Sequence, residues 1–212
     1  MPRSPRPQNI PDFILEDSID GPVCGLDEVG RGPLAGPVVA ACVYIPEASR
    51  QLDFVAHIRD SKKLSSKKLG MLNTKIRAHF FFSIAEIPPV EIDHINILQA
   101  SLKAMKNALI ATDYPNIMHA LVDGNRCPQD LPCPATTVVK GDSKSVSIAA
   151  ASIIAKVHRD RLMQELAQDF PLYGWERNVG YPTKEHISAI EKHGICAHHR
   201  KSFGPVKAAL TL

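Results

Sequence analysis

The chain has 212 residues, of which 44% are hydrophobic, and its formal net charge at pH 7 is +3. This length and apolar content suffice for one large domain, or for a domain with a small appended lobe. No apolar run approaches the roughly 20 residues of a membrane-spanning helix, which excludes such a helix. Five cysteines without a dense framework indicate a reducing, cytoplasmic compartment rather than a disulfide scaffold.

The first residues are basic and rich in proline, and they lack the apolar segment of a signal peptide. We therefore expect residues 1–20 to form a disordered tail. After it, short apolar runs alternate with amphipathic stretches, which is typical of an α/β domain. We expect strands at 22–28, 38–45, 80–85, 117–122 and 136–139, helices at 65–79, 148–168 and 184–193, and one or two helices over 90–111.

Local signals define the ends of several of these elements. Residues 30–37 form a tight connection between the first two strands, which favours an antiparallel hairpin. Ser65 and Thr183 can N-cap the helices that follow them, and Gly194 can end the last predicted helix. The small residues at the start of the 148–168 helix would allow it to lie close against the sheet. The order of elements implies a mixed sheet covered by helices.

Two adjacent acids, Asp27 and Glu28, end the first predicted strand and lead directly into Gly30-Arg31-Gly32. Successive side chains of a strand point to opposite faces, so these carboxylates converge only if the chain bends or a cation draws them together. Carboxylate oxygens are ligands that Mg²⁺ and Mn²⁺ prefer. The glycines leave backbone N–H groups accessible, and the forked guanidinium of the arginine suits a phosphate. The junction is typical of a nuclease.

Further acids, Asp123 and Asp142, follow later strands. If these strands lie beside the first one, four carboxylates meet at one edge of the sheet, where their mutual repulsion favours cations. Each position also has an ordinary alternative, since Asp123 can form a turn with Gly124 and Asp142 can N-cap a helix. The recurrence of acids at strand ends favours a two-metal site.

Basic residues gather in two clusters, which can be either solvated helix faces or contacts for a polyanion. The clusters are Lys62, Lys63, Lys67 and Lys68 early in the chain, and Arg159, Arg161, His198, His199, Arg200 and Lys201 late in it. Tyr181 precedes a predicted helix. It can be an ordinary half-buried tyrosine or an aromatic side chain that stacks on a nucleotide.

Competing motifs have little support. The pattern G-x-G-x-x-A at residues 30–35 matches a dinucleotide-binding fingerprint, but a β-rich run follows it where a helix is required. The cysteine and histidine spacings fit no common zinc site, and no nucleophile elbow of a serine hydrolase is present.

Taken together, these residues resemble ribonuclease HII, the type 2 ribonuclease H of bacteria. The resemblance runs from about residue 22 to about residue 207. The matching segments are 25–37, 60–64, 122–125, 140–143, 149–160 and 180–186. Each segment alone is a weak signal, and their occurrence in this order is highly specific.

The resemblance implies an α/β, ribonuclease H-like fold with a five-stranded mixed sheet flanked by helices over residues 21–170. A small C-terminal helical lobe would follow at 171–212. It also implies hydrolysis of RNA in RNA–DNA hybrids and incision at single ribonucleotides in duplex DNA, with Mn²⁺ or Mg²⁺ as cofactor. We expect a monomer without an obligate protein partner. Two alternatives are a structure-directed DNA nuclease of the same fold and a non-catalytic module that binds hybrids.

The resemblance also assigns roles to individual residues. The positions that match the family's catalytic carboxylates are Asp27, Glu28, Asp123 and Asp142, and the first three of these are the expected metal ligands. The positions expected to contact the substrate are Gly30, Arg31, Gly32, Lys62, Lys63 and Tyr181. Among these, the glycine–arginine–glycine segment matches the loop that senses the ribose 2′-OH, and the tyrosine matches one that stacks on the following deoxyribose.

Overall fold

A computed structural model describes residues 10–114 and 116–210, and its centre is a five-stranded mixed sheet with strand order β3-β2-β1-β4-β5. The strands are β1 (Val23–Val29), β2 (Val38–Tyr44), β3 (Phe81–Ile87), β4 (His119–Asp123) and β5 (Ala135–Val138). The pairs β1–β2 and β2–β3 are antiparallel, whereas β1–β4 and β4–β5 are parallel. The expected ribonuclease H-like architecture, with its antiparallel first hairpin, is confirmed.

Seven α-helices occur in the described part of the chain. They are α1 (Ile14–Asp17), α2 (Ser66–His79), α3 (Pro89–Ile110), α4 (Val146–Asp169), α5 (Trp175–Asn178), α6 (Lys184–His193) and α7 (Gly204–Ala209). None of the helices in the described ranges is long and apolar enough to cross a bilayer.

The predicted helix ends are confirmed at several positions. Ser65 accepts a hydrogen bond from the Lys68 N–H at the start of α2, and Thr183 accepts one from His186 at the start of α6. Helix α6 ends at Gly194, as predicted. Helix α4 begins two residues earlier than predicted, because the hydroxyl of Ser145 accepts the N–H of Ile148. The N-cap of this helix is therefore not Asp142.

Helix α3 consists of two helical halves joined at a kink. Asn96 lies in its interior with φ 65° and ψ 163°, which is a non-helical conformation. Its side-chain oxygen accepts the N–H groups of Leu98 and Gln99, so it caps the second half. The two halves agree with the expectation of one or two helices over 90–111.

The core forms two layers, one on each face of the sheet. Alternate residues of β2 point to opposite sides: Val39, Ala41 and Val43 pack with α2 and α4, while Val38 and Cys42 pack with α3. Because both faces of this strand are covered, its sequence is continuously apolar rather than alternating. Burial of both faces anchors β2, and the neighbouring β1, at the centre of the fold.

The predicted disordered tail of residues 1–20 is wrong for its second half. Helix α1 packs on the start of α4, and the side chain of Glu16 is buried there. One carboxylate oxygen of Glu16 accepts the backbone N–H of Ser147 at 3.0 Å, and it also accepts the hydroxyls of Ser145 and Ser147. A carboxylate at a helix N-terminus is favourable, because free N–H groups and the helix dipole point toward it. Residues 1–9 lie outside the described residues.

A separate apolar cluster forms the C-terminal part of the molecule. Trp175, Ile190 and Val206 pack there against Leu34 and Ala35, which belong to the connection between β1 and β2. Residues after 170 are therefore packed onto the loop that follows the first strand. The division into domains at residue 170 stays a prediction.

The closest approach between α4 and the sheet generates a stability prediction. A Cβ at Gly25 would overlap the backbone of Ser147 and Ile148, which a rigid helix cannot vacate. We expect Gly25→Ala to lower the free energy of unfolding by on the order of 3 kcal/mol through overpacking. Urea unfolding followed by circular dichroism would measure the change.

Gly70→Ala is the matched control, because a Cβ at Gly70 in α2 meets nothing within 4 Å. We expect that change to be neutral or stabilising by up to about 1 kcal/mol, since alanine is the better helix former. Equal stability of the two variants would show that α4 does not need the close approach.

Candidate active site

The four predicted carboxylates converge at one edge of the sheet. Leu26 of β1 pairs with Val122 of the parallel strand β4, so Asp27 and Asp123 are the next residues on adjacent strands. Asp142 follows β5, in a short 3-10 helix that precedes α4. Together with Glu28, these residues line a cleft of about 200 Å³. The structure therefore brings together all four acids from distant positions in the sequence.

Backbone N–H groups orient two of the carboxylates. One oxygen of Asp27, which is only 6% exposed, accepts the N–H of Glu28 at 2.7 Å. One oxygen of Asp123 accepts the N–H of Gly141 at 2.7 Å, which links β4 to the segment that carries Asp142. Backbone N–H groups of β1 and of the short 3-10 helix therefore orient these two acids, and the side chain of Ser152 is a further hydrogen-bond partner of Asp27.

The environment of the cleft disfavours an accumulation of negative charge. Burial raises the pKa of Asp27 well above its usual value, and the nearby carboxylates of Glu28 and Asp123 raise it further. The pKa of Glu28 is raised by burial, although the Arg31 guanidinium at 3.2 Å acts in the opposite direction. Burial, followed by the charges of Asp60 and Asp123, raises the pKa of Asp142.

The donor chemistry of this cleft fits a hard divalent cation. Its acidic side chains offer only carboxylate oxygens, which Mg²⁺ and Mn²⁺ prefer, and a cation would relieve the repulsion among them. Within the described ranges, no three His, Cys, Asp or Glu side chains form a ready-made metal-binding group. The fit therefore rests on the chemistry and shared placement of the acids.

The glycines of the loop after β1 have different structural roles. Gly30 has φ +92°, and a Cβ there would overlap the Arg159 side chain, so both conformation and packing require glycine. A Cβ at Gly32 would overlap nothing and would lie 3.5 Å from the ring of Tyr181. The gap between Gly32 and Tyr181 opens onto the cleft. It is free of side-chain atoms from position 32 because that residue is glycine.

Two buried arginines bind the backbone carbonyls of this loop on the side facing the protein interior. Arg200 donates to the carbonyls of Gly30, Arg31 and Gly36 at 2.6, 3.1 and 2.9 Å. Arg159 donates to three further carbonyls, at 2.9–3.0 Å, those of Ala35, Pro37 and Val179. Neither arginine forms an ion pair in the described part of the chain. Six backbone carbonyls thus solvate two buried cations.

This arrangement determines the direction of the loop's N–H groups. In a planar trans peptide, the C=O and the following N–H point in opposite directions. Because the carbonyls of Gly30 and Arg31 face Arg200, the N–H groups of Arg31 and Gly32 point away from it. Neither N–H donates to another group among the described residues. The loop therefore presents two unpaired donors.

Both arginines were assigned by sequence to a basic cluster that could contact a polyanion, and that alternative is wrong for them. Arg159, Arg200 and His199 are buried. Burial lowers the pKa of Arg159 to about 10 and that of Arg200 to about 9. Both therefore stay positively charged at neutral pH. Only the basic character of these residues was visible in the sequence, and nothing there indicated their burial.

The early lysines lie beside the carboxylates. Lys62 lines the cleft itself, whereas Lys63 lines an adjoining cavity together with Lys140. The side chain of Asp60 accepts the N–H of Lys62 at 2.9 Å and lies 3.8 Å from the Lys63 ammonium. Lys140 was not among the residues predicted to contact substrate; its position directly before Gly141-Asp142 was the available signal.

Tyr181 is 42% exposed and borders the cleft opposite the glycine loop. Its position is coupled to that loop, because the Leu34 N–H donates to the Gly180 carbonyl at 2.7 Å. The structure thus places the remaining predicted substrate residues, apart from Lys63, around the cleft that holds the acids.

A mixed sheet of this strand order, with acids at the ends of two adjacent parallel strands, defines a nuclease of the ribonuclease H fold. The Ribonuclease HII family model matches residues 24–206. The chain belongs to the ribonuclease HII family, and it is a metal-dependent endoribonuclease, a ribonuclease H of type 2. As such it acts on RNA–DNA hybrids.

Curated relatives and solved structures agree with this assignment. The chain is 53% identical to Ribonuclease HII of Rhodospirillum rubrum over 203 residues, covering 95% of this chain and 92% of the relative. It is 53% identical to Ribonuclease HII of Pelodictyon phaeoclathratiforme over 184 residues, covering 85% of this chain and 88% of the relative. The crystal structure of ribonuclease H2 from Pyrococcus horikoshii superposes with a TM-score of 0.74 at 25% identity, covering 89% of this chain and 97% of that one. Bst-RNase HIII, solved in complex with Mn²⁺, shares the fold with a TM-score of 0.70 at 18% identity, covering 90% of this chain and 69% of that one.

The buried arginines generate a second prediction. Arg200→Lys keeps a cation but replaces the fork that reaches three carbonyls with a single ammonium. We expect a loss on the order of 3 kcal/mol in the free energy of unfolding, because buried carbonyls would be left unpaired. Arg161→Lys is the control, since Arg161 is exposed and its ion pair in the described part of the chain is with Glu165 on its own helix. That change should stay within about 0.5 kcal/mol by urea unfolding; similar losses in both variants would contradict the role of the fork.

Proposed function

We propose that the enzyme hydrolyses the RNA strand of RNA–DNA hybrids and also incises on the 5′ side of single ribonucleotides embedded in duplex DNA. In-line attack of water would leave a 5′-phosphate and a 3′-OH. The observation that carries the proposal is one cleft lined by four carboxylates, an open glycine loop and Tyr181. The carboxylates supply the hydrolytic chemistry, and the loop with the tyrosine distinguishes a ribonucleotide from a deoxyribonucleotide.

Asp27, Glu28 and Asp123 would hold two divalent cations, Mg²⁺ or Mn²⁺, which when bound activate the attacking water and stabilise charge on the leaving oxygen. Asp142 completes the set of catalytic carboxylates on the side of the cleft that also holds Lys62. The N–H groups that orient Asp27 and Asp123 keep these carboxylates in place before substrate arrives.

Recognition of RNA at a single position requires contact with the 2′-OH, which both donates and accepts hydrogen bonds. The outward N–H groups of Arg31 and Gly32 are donors for that hydroxyl or for the adjacent phosphate. The ring of Tyr181, across the gap from Gly32, stacks on the following deoxyribose in this proposal. These contacts are to the sugar, and none of them reads the hydrogen-bonding edge of a base.

Cations around the cleft would position the phosphodiester backbone. The guanidinium of Arg31 is half exposed, and Lys62 and Lys63 lie on the side of Asp142. Contacts of this kind fix the register of a duplex without reading its sequence. We therefore expect little sequence preference.

We further propose that the enzyme works in the cytoplasm as a monomer without an obligate protein partner. All five cysteines are free thiols, which supports a reducing compartment. A ribonuclease HII from Archaeoglobus fulgidus has been solved in a complex with PCNA, with a TM-score of 0.68 and 25% identity, covering 86% of this chain and 95% of that one. A partner of that kind would be compatible with activity of the isolated enzyme.

The experiment that tests the proposal is a gel assay on a DNA duplex carrying one ribonucleotide, beside an all-DNA duplex, with Mg²⁺, with Mn²⁺ and with EDTA. Metal-dependent incision 5′ to the ribonucleotide, and none on all-DNA, is the expected result. Equal cutting of both duplexes would indicate a structure-directed DNA nuclease. Binding without cutting would indicate a non-catalytic module.

A third prediction concerns the carboxylates. Asp123→Asn keeps an oxygen that can accept the Gly141 N–H but removes the negative charge. We expect incision to fall on the order of 1000-fold, while unfolding and hybrid binding change little. Single-turnover incision and electrophoretic mobility shift would separate the two effects. Near wild-type incision by this variant would refute the assignment of Asp123 as a metal ligand.

A fourth prediction concerns the gap beside Tyr181. Gly32→Ala overlaps no protein atom, so the fold should be preserved, yet its methyl group would enter the space between loop and ring. We expect incision at a single ribonucleotide to fall on the order of 100-fold, because displacements of about 1 Å have costs of that size. Gly70→Ala is again the control, with unchanged incision expected. If kcat/KM is unaltered in Gly32→Ala, the ribose of the substrate does not occupy the gap between Gly32 and Tyr181.

A further inference from the structure

We infer that His186 and His199, two buried histidines of the C-terminal lobe, position Tyr181 at the cleft through a defined relay of hydrogen bonds. The inference rests on the proposed role of Tyr181 in reading the ribonucleotide. Neither histidine touches the cleft, so both act through the backbone of the Tyr181 loop.

The loop that carries Tyr181 is held by its backbone. The exposed ring of Tyr181 makes no side-chain hydrogen bond among the described residues, whereas its N–H donates to the Asn178 carbonyl and its own carbonyl accepts the Thr183 N–H, both at 2.8 Å. Just before it, Val179 has φ 43°. A β-branched residue in the left-handed region is strained, and it persists only where surrounding contacts enforce it.

His186 supplies one of those contacts. Its ring is fully buried, and Nδ1 lies 3.0 Å from the carbonyl oxygen of Tyr181. A carbonyl can only accept, so Nδ1 must carry the proton and Nε2 of the neutral ring must be an acceptor. The Trp175 indole N–H, at 3.0 Å from Nε2, donates to it. Trp175 therefore enforces the tautomer that binds Tyr181.

His199 extends the relay by one step. Its Nε2 lies 3.1 Å from Nε2 of His186, which is an acceptor, so His199 must carry its proton on Nε2. Its Nδ1 is then the acceptor for the Cys196 N–H, at 3.1 Å. One assignment of protons is compatible with these contacts: the Cys196 N–H donates to His199, His199 to His186, and His186 to Tyr181. The single lone pair of His186 Nε2 is then shared between the Trp175 and His199 donors.

The relay requires both rings to be neutral. Protonation of His186 would place a donor against the donors of Trp175 and His199, and protonation of His199 would do the same against the Cys196 N–H. Burial lowers the pKa of both histidines, that of His199 to about 4. The titratable or charged groups that act on the pair are Tyr173, Glu185, Cys196 and His198. The neutral relay is thus stable throughout the neutral pH range.

A pair of substitutions distinguishes the role of His186 Nδ1 from that of His186 Nε2. The amide nitrogen of Asn overlays Nδ1, so His186→Asn can still donate to the Tyr181 carbonyl. The amide of Gln extends to the position of Nε2, so His186→Gln keeps a polar group toward Trp175 and His199 but loses that donor. We expect kcat/KM for incision at a single ribonucleotide to be on the order of tenfold lower in His186→Gln than in His186→Asn.

The same pair is then compared in a Tyr181→Ala background. If His186 acts through Tyr181, the tenfold difference disappears there. A difference that persists in that background, or no difference in the first place, would overturn the inference while leaving the proposed function intact. Full activity of Tyr181→Ala itself would overturn the role of Tyr181 and the inference with it. His193→Asn and His193→Gln, at an exposed position of α6, are controls expected to be equal to each other.

A measurement on the unmodified enzyme keeps the inference testable if these variants fail to fold. Nitrogen-15 NMR of the histidine rings at pH 7 distinguishes the two neutral tautomers. The relay requires the Nδ1–H form for His186 and the Nε2–H form for His199. Observation of the opposite form at His186 would overturn the inference, because that ring could not then donate to Tyr181.

Discussion

The binding of six backbone carbonyls by two buried guanidinium groups is the constraint on which the rest of the site depends. Arg159 joins the loop after β1 to α4, and Arg200 joins it to the C-terminal lobe. Apolar contacts and a few backbone hydrogen bonds are the other connections seen among the described residues. The bonds to the arginines turn the loop's carbonyls inward and its N–H groups outward. A loop rich in glycine would otherwise have many conformations of similar energy.

Buried cations without an acidic partner are unusual, because removing an ion from water has a large free-energy cost. Here three carbonyl dipoles per arginine replace the lost water, and each pKa remains above neutral. An acidic partner would have neutralised this charge. We expect the retained positive charge to favour the approach of a polyanion to this loop, because a positive potential attracts nucleic acid.

The sequence predicted the sheet and its acidic edge because both depend on local patterns. Asp27 and Asp123 each end an apolar strand, and adjacent parallel strands end at the same edge, so their convergence could be predicted without coordinates. The buried side of the site could not be predicted in this way. Arg200 and Gly30 are 170 positions apart in the sequence, and charged residues are ordinarily exposed, so a basic cluster was the natural interpretation. Glu16 was missed for the same reason, since its partners lie 129 and 131 positions away.

The site therefore has two parts with different structural origins. The carboxylates lie on β1, on β4 and in the short 3-10 helix that precedes α4, next to the centre of the fold. The loop and Tyr181 face each other across a gap, and their separation is set by Arg159 of α4, by Arg200 and by the Leu34–Gly180 hydrogen bond. In the proposed mechanism, hydrolysis depends on the first part and selection of a ribonucleotide on the second. In this proposal, changes in the C-terminal part of the chain alter the choice of substrate without touching the acids, because Arg200 and the Leu34–Gly180 hydrogen bond act on the loop and on Tyr181 rather than on the carboxylates.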